Sequence, residues 1–426
     1  MIEIKNRDDI SKLEAIQKRR KLSFEDYEEA VRNIIRDVKR KGDEAIFYYT
    51  RKFDGFEADK KSIVVDDEEF KRAFDLIPDE HKEIIECAAK RIERFHRVLK
   101  PTSQFIEEKG AILGIRVTPV ERAGLYIPGG RAAYPSTALM TIIPAEVAGV
   151  KYVQVATPAP HGRANPYVLY IARMYGVDKV YKIGGAQSIA AFAYSTETID
   201  KVDVIAGPGN IYVALAKRLV FGDVGIDSIA GPSEIMIVAD RNAKPELLAR
   251  DLLSQAEHDE LAGCFFVGLD KQLVEYVERL FLKLAGSTKR SSITKKSAKN
   301  AVFVYADTLR LAAECVDIIA PEHLELQLED NYSFMNLFSH AGAVFIGEFT
   351  PEAIGDYVAG PNHTLPTSAT ARFFSPLSCE TFMKKSSILH FTRDGFKKVA
   401  ECASSFAEIE GLFAHKDSID ARLGDS

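Results

Sequence analysis

The sequence has no membrane-length apolar run, no CxxC pair and no excess of basic charge. Its most apolar stretch, Ala138 to Val150, is broken by Thr141, Pro144 and Glu146, well short of a bilayer span. The opening segment MIEIKNRDDISKLEAI alternates charged with apolar residues and lacks a signal-peptide core, so no targeting segment is expected there. Five cysteines (Cys87, Cys264, Cys315, Cys379 and Cys402) are scattered and odd in number, which reads as reduced thiols in a cytoplasmic protein. A net charge of -6 gives no global field for nucleic acid or an anionic membrane. With only 27 Gly and 17 Pro among 426 residues, collagen-like and low-complexity chains are excluded. Two catalytic signatures are missing as well. There is no GxSxG elbow, and no GxGxxG: GPGNIY, from Gly207, has Tyr212 where the third glycine belongs.

What is present is a soluble, core-forming composition, 46% hydrophobic and 28% charged, long enough for two or three domains. The first hundred residues read as charged scaffold helices. One opens at a capping box of Ser23 and Asp26, carries Tyr27, Val31, Ile34, Ile35 and Val38 on one face, and stops at Gly42. Another runs from about Glu80 to Leu99 with Ile84, Ile85, Ala88, Ile92 and Phe95 inward. From GLYIPGG (124–130) onward the pattern changes to short apolar runs ending in Gly or Pro loops, at YVQVATPA (152–159), KVYKIGGA (179–186) and VDVIAGPG (202–209), with helical stretches between. A second series follows at GPSEIMIVAD (231–240), GCFFVGLD (263–270), AVFVYAD (301–307), HLELQL (323–328) and AGAVFIG (341–347). Strand, glycine loop and helix in repetition specify parallel sheets of βαβ units, hence two α/β domains. The tail after about Ser378 reads as a small helical piece.

Histidines in the second half mark the candidate chemistry. A helix opening at Pro245 and running to Ala256 sets Gln255 and His258 three residues apart, near enough to share one ion. Asp356 and His415 could complete an N/O ligand set suited to zinc or manganese; any one of these residues, taken by itself, reads more readily as a surface or helix-capping polar residue. APEHLEL puts Glu322 beside His323 at the start of a strand that follows a helix, an acid/base pair or simply a loop carboxylate next to a half-buried imidazole. His81, His96, His161, His340 and His390 read as structural or solvated, and the basic stretch 288–300 as a solvated connection.

Taken together, AGPSEIMIVAD leading into DLLSQAEHD, then APEHLEL, GDYVAGPNHTLPTSATARF and EIEGLFAHKDSIDARL, resemble the histidinol dehydrogenase family in order and separation. GLYIPGGRAAYPSTALM, IGGAQSIAAFAYST and AGPGNIYVALAK are similar to its cofactor-domain segments, and the likeness spans nearly the whole chain from about residue 20. The resemblance implies NAD-dependent, two-step oxidation of L-histidinol to L-histidine with one bound zinc. It implies Gln255, His258, Asp356 and His415 as zinc ligands and Glu322 and His323 as the catalytic pair. Ser233 and Glu410, with the ligands and His323, would hold the substrate, and His363 would line the same pocket. Tyr126, Gln187 and Asn210 would contact NAD. It further implies two Rossmann-like α/β domains with parallel sheets plus small N- and C-terminal helical extensions. The expected divisions are an arm over 1–20, a discontinuous zinc and catalytic domain over 21–125 and 235–377, an NAD-binding domain over 126–234, and a dimerisation tail over 378–426. The partners implied are L-histidinol and a second copy of the chain sharing the active site, with no nucleic acid and no membrane, in the cytoplasm. A zinc hydrolase, or a metal-binding homologue without catalysis, is the alternative.

Overall fold

The computed structural model describes residues 1–20, 24–129 and 134–424, so the capping box expected at Ser23 lies outside the described residues. The chain divides into two compact units, one of Met1–Leu99 with Val120–Phe382 and one of Lys100–Pro119 with Met383–Ser426.

The first unit holds two parallel sheets. The five-stranded one runs, edge to edge, Lys179–Tyr181, Tyr152–Ala156, Arg122–Tyr126, Val204–Ala206, Gly225–Ile226. The chain winds outward from Arg122–Tyr126 in one direction and then returns to extend the sheet in the other. Strand order therefore reverses between Arg122–Tyr126 and Val204–Ala206, the position where open α/β sheets leave a crevice at their carboxyl ends. Helices Glu25–Lys41 and Asp43–Asp54 belong to this sheet's core, with Ile34, Val38 and Ile46 packed among Phe192, Ile205 and Leu215. The packing thus joins the N-terminal helices to the expected cofactor domain rather than to residues 235–377. The reason is visible in Glu25–Lys41, whose inward face is wholly aliphatic and finds its apolar partners on the helices Gly185–Tyr194 and Ile211–Val220.

The six-stranded sheet runs Ile2–Ile4, Val302–Ala306, Gly263–Gly268, Glu234–Ala239, His323–Gln327, Ala343–Ile346, all parallel. Its central strands Glu234–Ala239 and Gly263–Gly268 are buried on both faces, as the unbroken apolar runs IMIVA and CFFV require. The first residues are an edge strand of this sheet, with Ile4 fully buried, rather than an arm. The basic stretch near residue 290 forms the helix Ser291–Ser297, anchored by the Thr294 hydroxyl donating to the Ala285 carbonyl at 2.7 Å. On the helix Asp79–Val98, Ile84 faces solvent while His96 takes the buried position.

The second unit is an antiparallel sheet ordered Met383–Phe391, Ala111–Pro119, Gln104–Glu108, followed by helices Arg393–Ile409 and Phe413–Asp420. The tail is thus not purely helical. Its sheet has a close backbone approach at Gly395, where a Cβ would meet the Gly110 carbonyl oxygen at 1.9 Å, so only glycine fits.

Candidate active site

The site is built at the amino edge of the six-stranded sheet. Helix Leu309–Ile319 ends on Ala320 in the left-handed region (φ 46°), whose N–H donates to Val316, and the chain turns at once into Pro321, Glu322 and His323. His323 opens its strand opposite Ile235 and Ala343, which brings Glu234, the first residue of the neighbouring strand, against it. The Glu234 N–H donates to Glu322 Oε2 at 2.9 Å, and the Glu234 carbonyl lies 3.0 Å from His323 Nδ1. A carbonyl only accepts, so Nδ1 carries the ring hydrogen and Nε2 of the neutral imidazole is a bare lone pair. Nε2 has no hydrogen-bond partner among the described residues and stands 3.8 Å from Asp356 Oδ1.

Burial pushes His323 down to about 3, so the ring stays neutral through the ordinary pH range. Burial also holds Glu322 well above the usual carboxylate range; Glu234 and Asp356 add negative charge, while the Glu234 N–H and the Ser233 hydroxyl oppose the shift. Ser233 itself precedes the strand Glu234–Ala239 and its carbonyl accepts the Gly263 N–H.

Three further elements converge here. Helix Pro245–Ala256, with the bounds the sequence pattern gives, carries Gln255 in its last turn, and His258 follows in a turn whose N–H donates to the Gln255 carbonyl. Helix Glu352–Tyr357 presents Glu352 and Asp356 four residues apart on one face. One ligand atom each from His258, Glu352 and Asp356 lies within 4.8 Å of the others. Gln255 is fully buried and neither of its amide atoms has a hydrogen-bond partner among the described residues. An orphaned buried amide costs free energy unless a ligand satisfies it; Gln255 lies three residues before His258, and amide, imidazole and carboxylate together suit a divalent cation such as zinc. Burial raises Asp356 to about 6 and lowers His258. His363 joins the cluster, its Nδ1 3.0 Å from the Asp356 carbonyl and its Nε2 3.3 Å from the Thr137 hydroxyl. A cavity of about 130 Å³ opens between His323, Phe345, Gly355, Asp356, Asn362 and His363.

Glu352 is absent from the sequence-derived ligand set. Its signal was available: Pro351 opens a helix on which Glu352 and Asp356 are i and i+4. Its N–H donates to Glu325 Oε1 at 2.7 Å, so β-strand and helix are tied behind the cluster. Burial, with Asp356, Glu325 and Glu322 adding negative charge, holds Glu352 well above the usual range. The Glu322–His323 pair stands at the start of its strand and after a helix, as the sequence pattern places it. Parallel sheets favour ligands at their carboxyl ends, where a separate cavity of about 180 Å³ is lined by Asp240, Lys244, Gln327 and Glu348. The Glu322–His323 pair occupies the opposite, amino end.

The expected cofactor residues gather at the carboxyl ends of the five-stranded sheet, beside its reversal point. Tyr126 ends the strand Arg122–Tyr126, and its phenol oxygen accepts the Gly185 N–H at 3.2 Å. Burial pushes that phenol up to about 12. Gln187 lies buried in the first turn of Gly185–Tyr194, and its Oε1 has no hydrogen-bond partner among the described residues. Asn210 caps Ile211–Val220, accepting the Tyr212 and Val213 N–H groups. Loops and a helix N-terminus of this kind fit an anionic dinucleotide. Glu410 and His415 belong to the second unit, where Glu410 follows helix Arg393–Ile409, His415 lies in Phe413–Asp420, and both are exposed.

A sequence profile described as Histidinol dehydrogenase matches residues 17–423. A protein named histidinol dehydrogenase from Synechococcus sp. is 49% identical, over 93% of this chain and 92% of that protein. One from Aquifex aeolicus is 46% identical over 97% and 96%. The crystal structure of histidinol dehydrogenase from Elizabethkingia anophelis superposes with a TM-score of 0.94 at 36% identity, covering 99% of this chain and 98% of that one. On sequence and fold alike, over nearly its full length, the chain belongs to the histidinol dehydrogenase family.

Proposed function

We propose that the chain oxidises L-histidinol through L-histidinal to L-histidine with NAD+ as hydride acceptor, the closing reaction of histidine biosynthesis, as a cytoplasmic enzyme. The observation that carries the reading is the imidazole of His323. Its Nδ1–H is committed to the Glu234 carbonyl, and its bare Nε2 faces the carboxylate and imidazole cluster. Oxidising an alcohol requires removal of the hydroxyl proton as hydride departs, and a neutral, oriented imidazole is the group for that step. Nε2 of His323 takes the proton, and the Glu234 carbonyl steadies the imidazolium that results.

The second oxidation needs a water added across the aldehyde. Glu322, held by the Glu234 N–H and beside the Ser233 hydroxyl, takes a proton from that water; its raised proton affinity suits it to the task. Gln255, His258 and Asp356 would hold the zinc, with Glu352 as a further carboxylate of the same cluster. Zinc, when bound, supplies a Lewis-acidic anchor that fixes the substrate's imidazole and amine. Ser233 is assigned to substrate binding, and its hydrogen bond to Glu322 supports the assignment. Tyr126, Gln187 and Asn210 are assigned to NAD on the strength of the reversal-point loops they occupy.

His415 is assigned as the remaining zinc ligand and Glu410 as a substrate contact, both supplied to the site by a partner subunit. Support for a homodimer comes from the second unit's own surface. Phe105, Leu389, Phe406, Ile409 and Phe413 are 54 to 80% exposed, more apolar surface than a small sheet and two helices leave open without a covering chain. No helix among the described residues is long and apolar enough to cross a membrane.

The test is NADH absorbance from limiting L-histidinol and excess NAD+, before and after chelation. Formation of NADH in a two-to-one ratio to histidinol, lost on chelation and restored by zinc, is the expected result. No NADH from zinc-loaded protein would overturn the reading and favour a hydrolytic or non-catalytic metal protein.

A further inference from the structure

The five-stranded sheet contains an ion pair that its packing does not require. Helix Ile211–Val220 turns Val213, Ala214, Leu215, Ala216 and Val220 inward, and Lys217 goes in with them. Its ammonium meets the carboxylate of Asp227, just beyond the strand Gly225–Ile226, and the two side chains are only 2% and 3% exposed. Taking two charges out of water costs several kcal/mol per ion in general, and well-packed apolar residues commonly serve stability as well. What the pair does hold is one residue of the backbone. The Gly207 N–H donates to Asp227 Oδ2 at 2.7 Å, and the Gly207 carbonyl accepts from Lys217 Nζ at 3.0 Å. Asp227 Oδ1 is in turn fixed by the Ser228 N–H at 2.6 Å.

Gly207 is the residue at which the sheet's reversal point is built. Its φ is +118°, a conformation that L side chains rarely adopt, and a Cβ there would lie 2.0 Å from the Tyr126 carbonyl oxygen. Its backbone therefore sits against the end of Arg122–Tyr126, and three residues on, Asn210 caps Ile211–Val220. The loop has only two of the three glycines of a dinucleotide fingerprint, with Tyr212 at the third. A loop without that fingerprint needs another means of holding its N–H groups in one orientation.

We propose that Lys217 and Asp227 are positioning residues for the pyridine dinucleotide. They clamp both polar atoms of Gly207 and so preorganise the Gly207–Asn210 loop, without touching the cofactor themselves. The proposal rests on the NAD reading given above. Because preorganisation lowers the ordering cost of binding, its loss falls on cofactor affinity and leaves the zinc cluster, with which the clamp shares no residue, alone.

The test is NADH binding by fluorescence titration, with steady-state kinetics, on the full-length, zinc-loaded protein. In the paired variant Lys217→Met/Asp227→Leu, which removes both charges together, the Kd for NADH and the KM for NAD+ are expected to rise about tenfold or more, from the lost ordering of the loop. The KM for histidinol and the zinc content are expected to stay at wild-type values, and Lys217→Arg with Asp227 intact should restore most of the affinity. Hydrogen exchange on the wild-type protein gives an answer even where the paired variant does not fold: a clamped loop protects the Gly207 amide equally with and without NADH. Wild-type NADH affinity in the paired variant, or fast Gly207 exchange in the free protein, overturns the clamp. A wild-type protein that binds no NADH at all overturns the NAD reading instead.

Discussion

Gln255 is the residue whose replacement separates stability from function most sharply. It is fully buried, and both amide atoms lack partners among the described residues. An unsatisfied buried polar group costs about 1–3 kcal/mol, and Leu has nearly the same volume with nothing to satisfy. In chelator, Gln255→Leu is therefore expected to be more stable than wild type by about 1–3 kcal/mol. With free zinc a hundredfold above its Kd, wild type gains about 2.7 kcal/mol by mass action, while the variant, missing a ligand, gains far less. The rank order of the two proteins should thus narrow or invert between the buffers. Urea unfolding followed by far-UV circular dichroism reads this directly, since the chain has no tryptophan to report by fluorescence. Two results refute the reasoning: a variant less stable than wild type in chelator, or one that zinc stabilises as fully as wild type.

His323→Ala should lower turnover by about 10² to 10⁴ while zinc content, measured by atomic absorption, stays near one per chain; unchanged turnover removes Nε2 as the base. His258→Asn should reduce zinc content and activity together, and full occupancy in the purified variant contradicts its place in the ligand set. A stability effect is expected far from the chemistry, at His96, which burial pushes down to about 4 from the usual 6.5. The unfolded chain then takes up a proton first as pH falls, so this contribution is whole above 6.5 and drains away towards 4. By pH 5 the loss is about 2 kcal/mol. His96→Phe should flatten the urea midpoint over that window, and an unaltered pH dependence would show that the imidazole is already protonated in the fold.

Both parallel sheets were legible because their strands end on Gly or Pro loops, which fixes each run's length. The helix Pro245–Ala256 was legible to the residue because Pro245 marks its first turn. The second unit's sheet was not. Lys384, Lys385, Ser386 and Ser387 face solvent along Met383–Phe391, and a strand exposed on both faces has no apolar alternation to read. Ile2–Ile4 is too short to carry a period at all. Within the candidate site, Glu322 and His323 stood out by type. Their hydrogen-bonded neighbour Glu234 did not, because strand register sets that contact and the register of parallel strands is not written in local pattern. The packing of Glu25–Lys41 and Asp43–Asp54 on the five-stranded sheet's core was hidden for a related reason: an aliphatic helix face states that it will be buried, not against which sheet.

The edge strand Ile2–Ile4 has a practical side. It pairs in parallel with Val302–Ala306, and Glu3 binds both Lys5 and Lys271, setting charge along the rim of the sheet. Stripped of it, Val302–Ala306 would present an open row of amides and carbonyls on a strongly apolar strand, a template for self-pairing and precipitation. Three residues at the start of the chain thus govern colloidal behaviour, and an expression variant trimmed past Lys5 is expected to aggregate while every residue of the candidate active site remains intact.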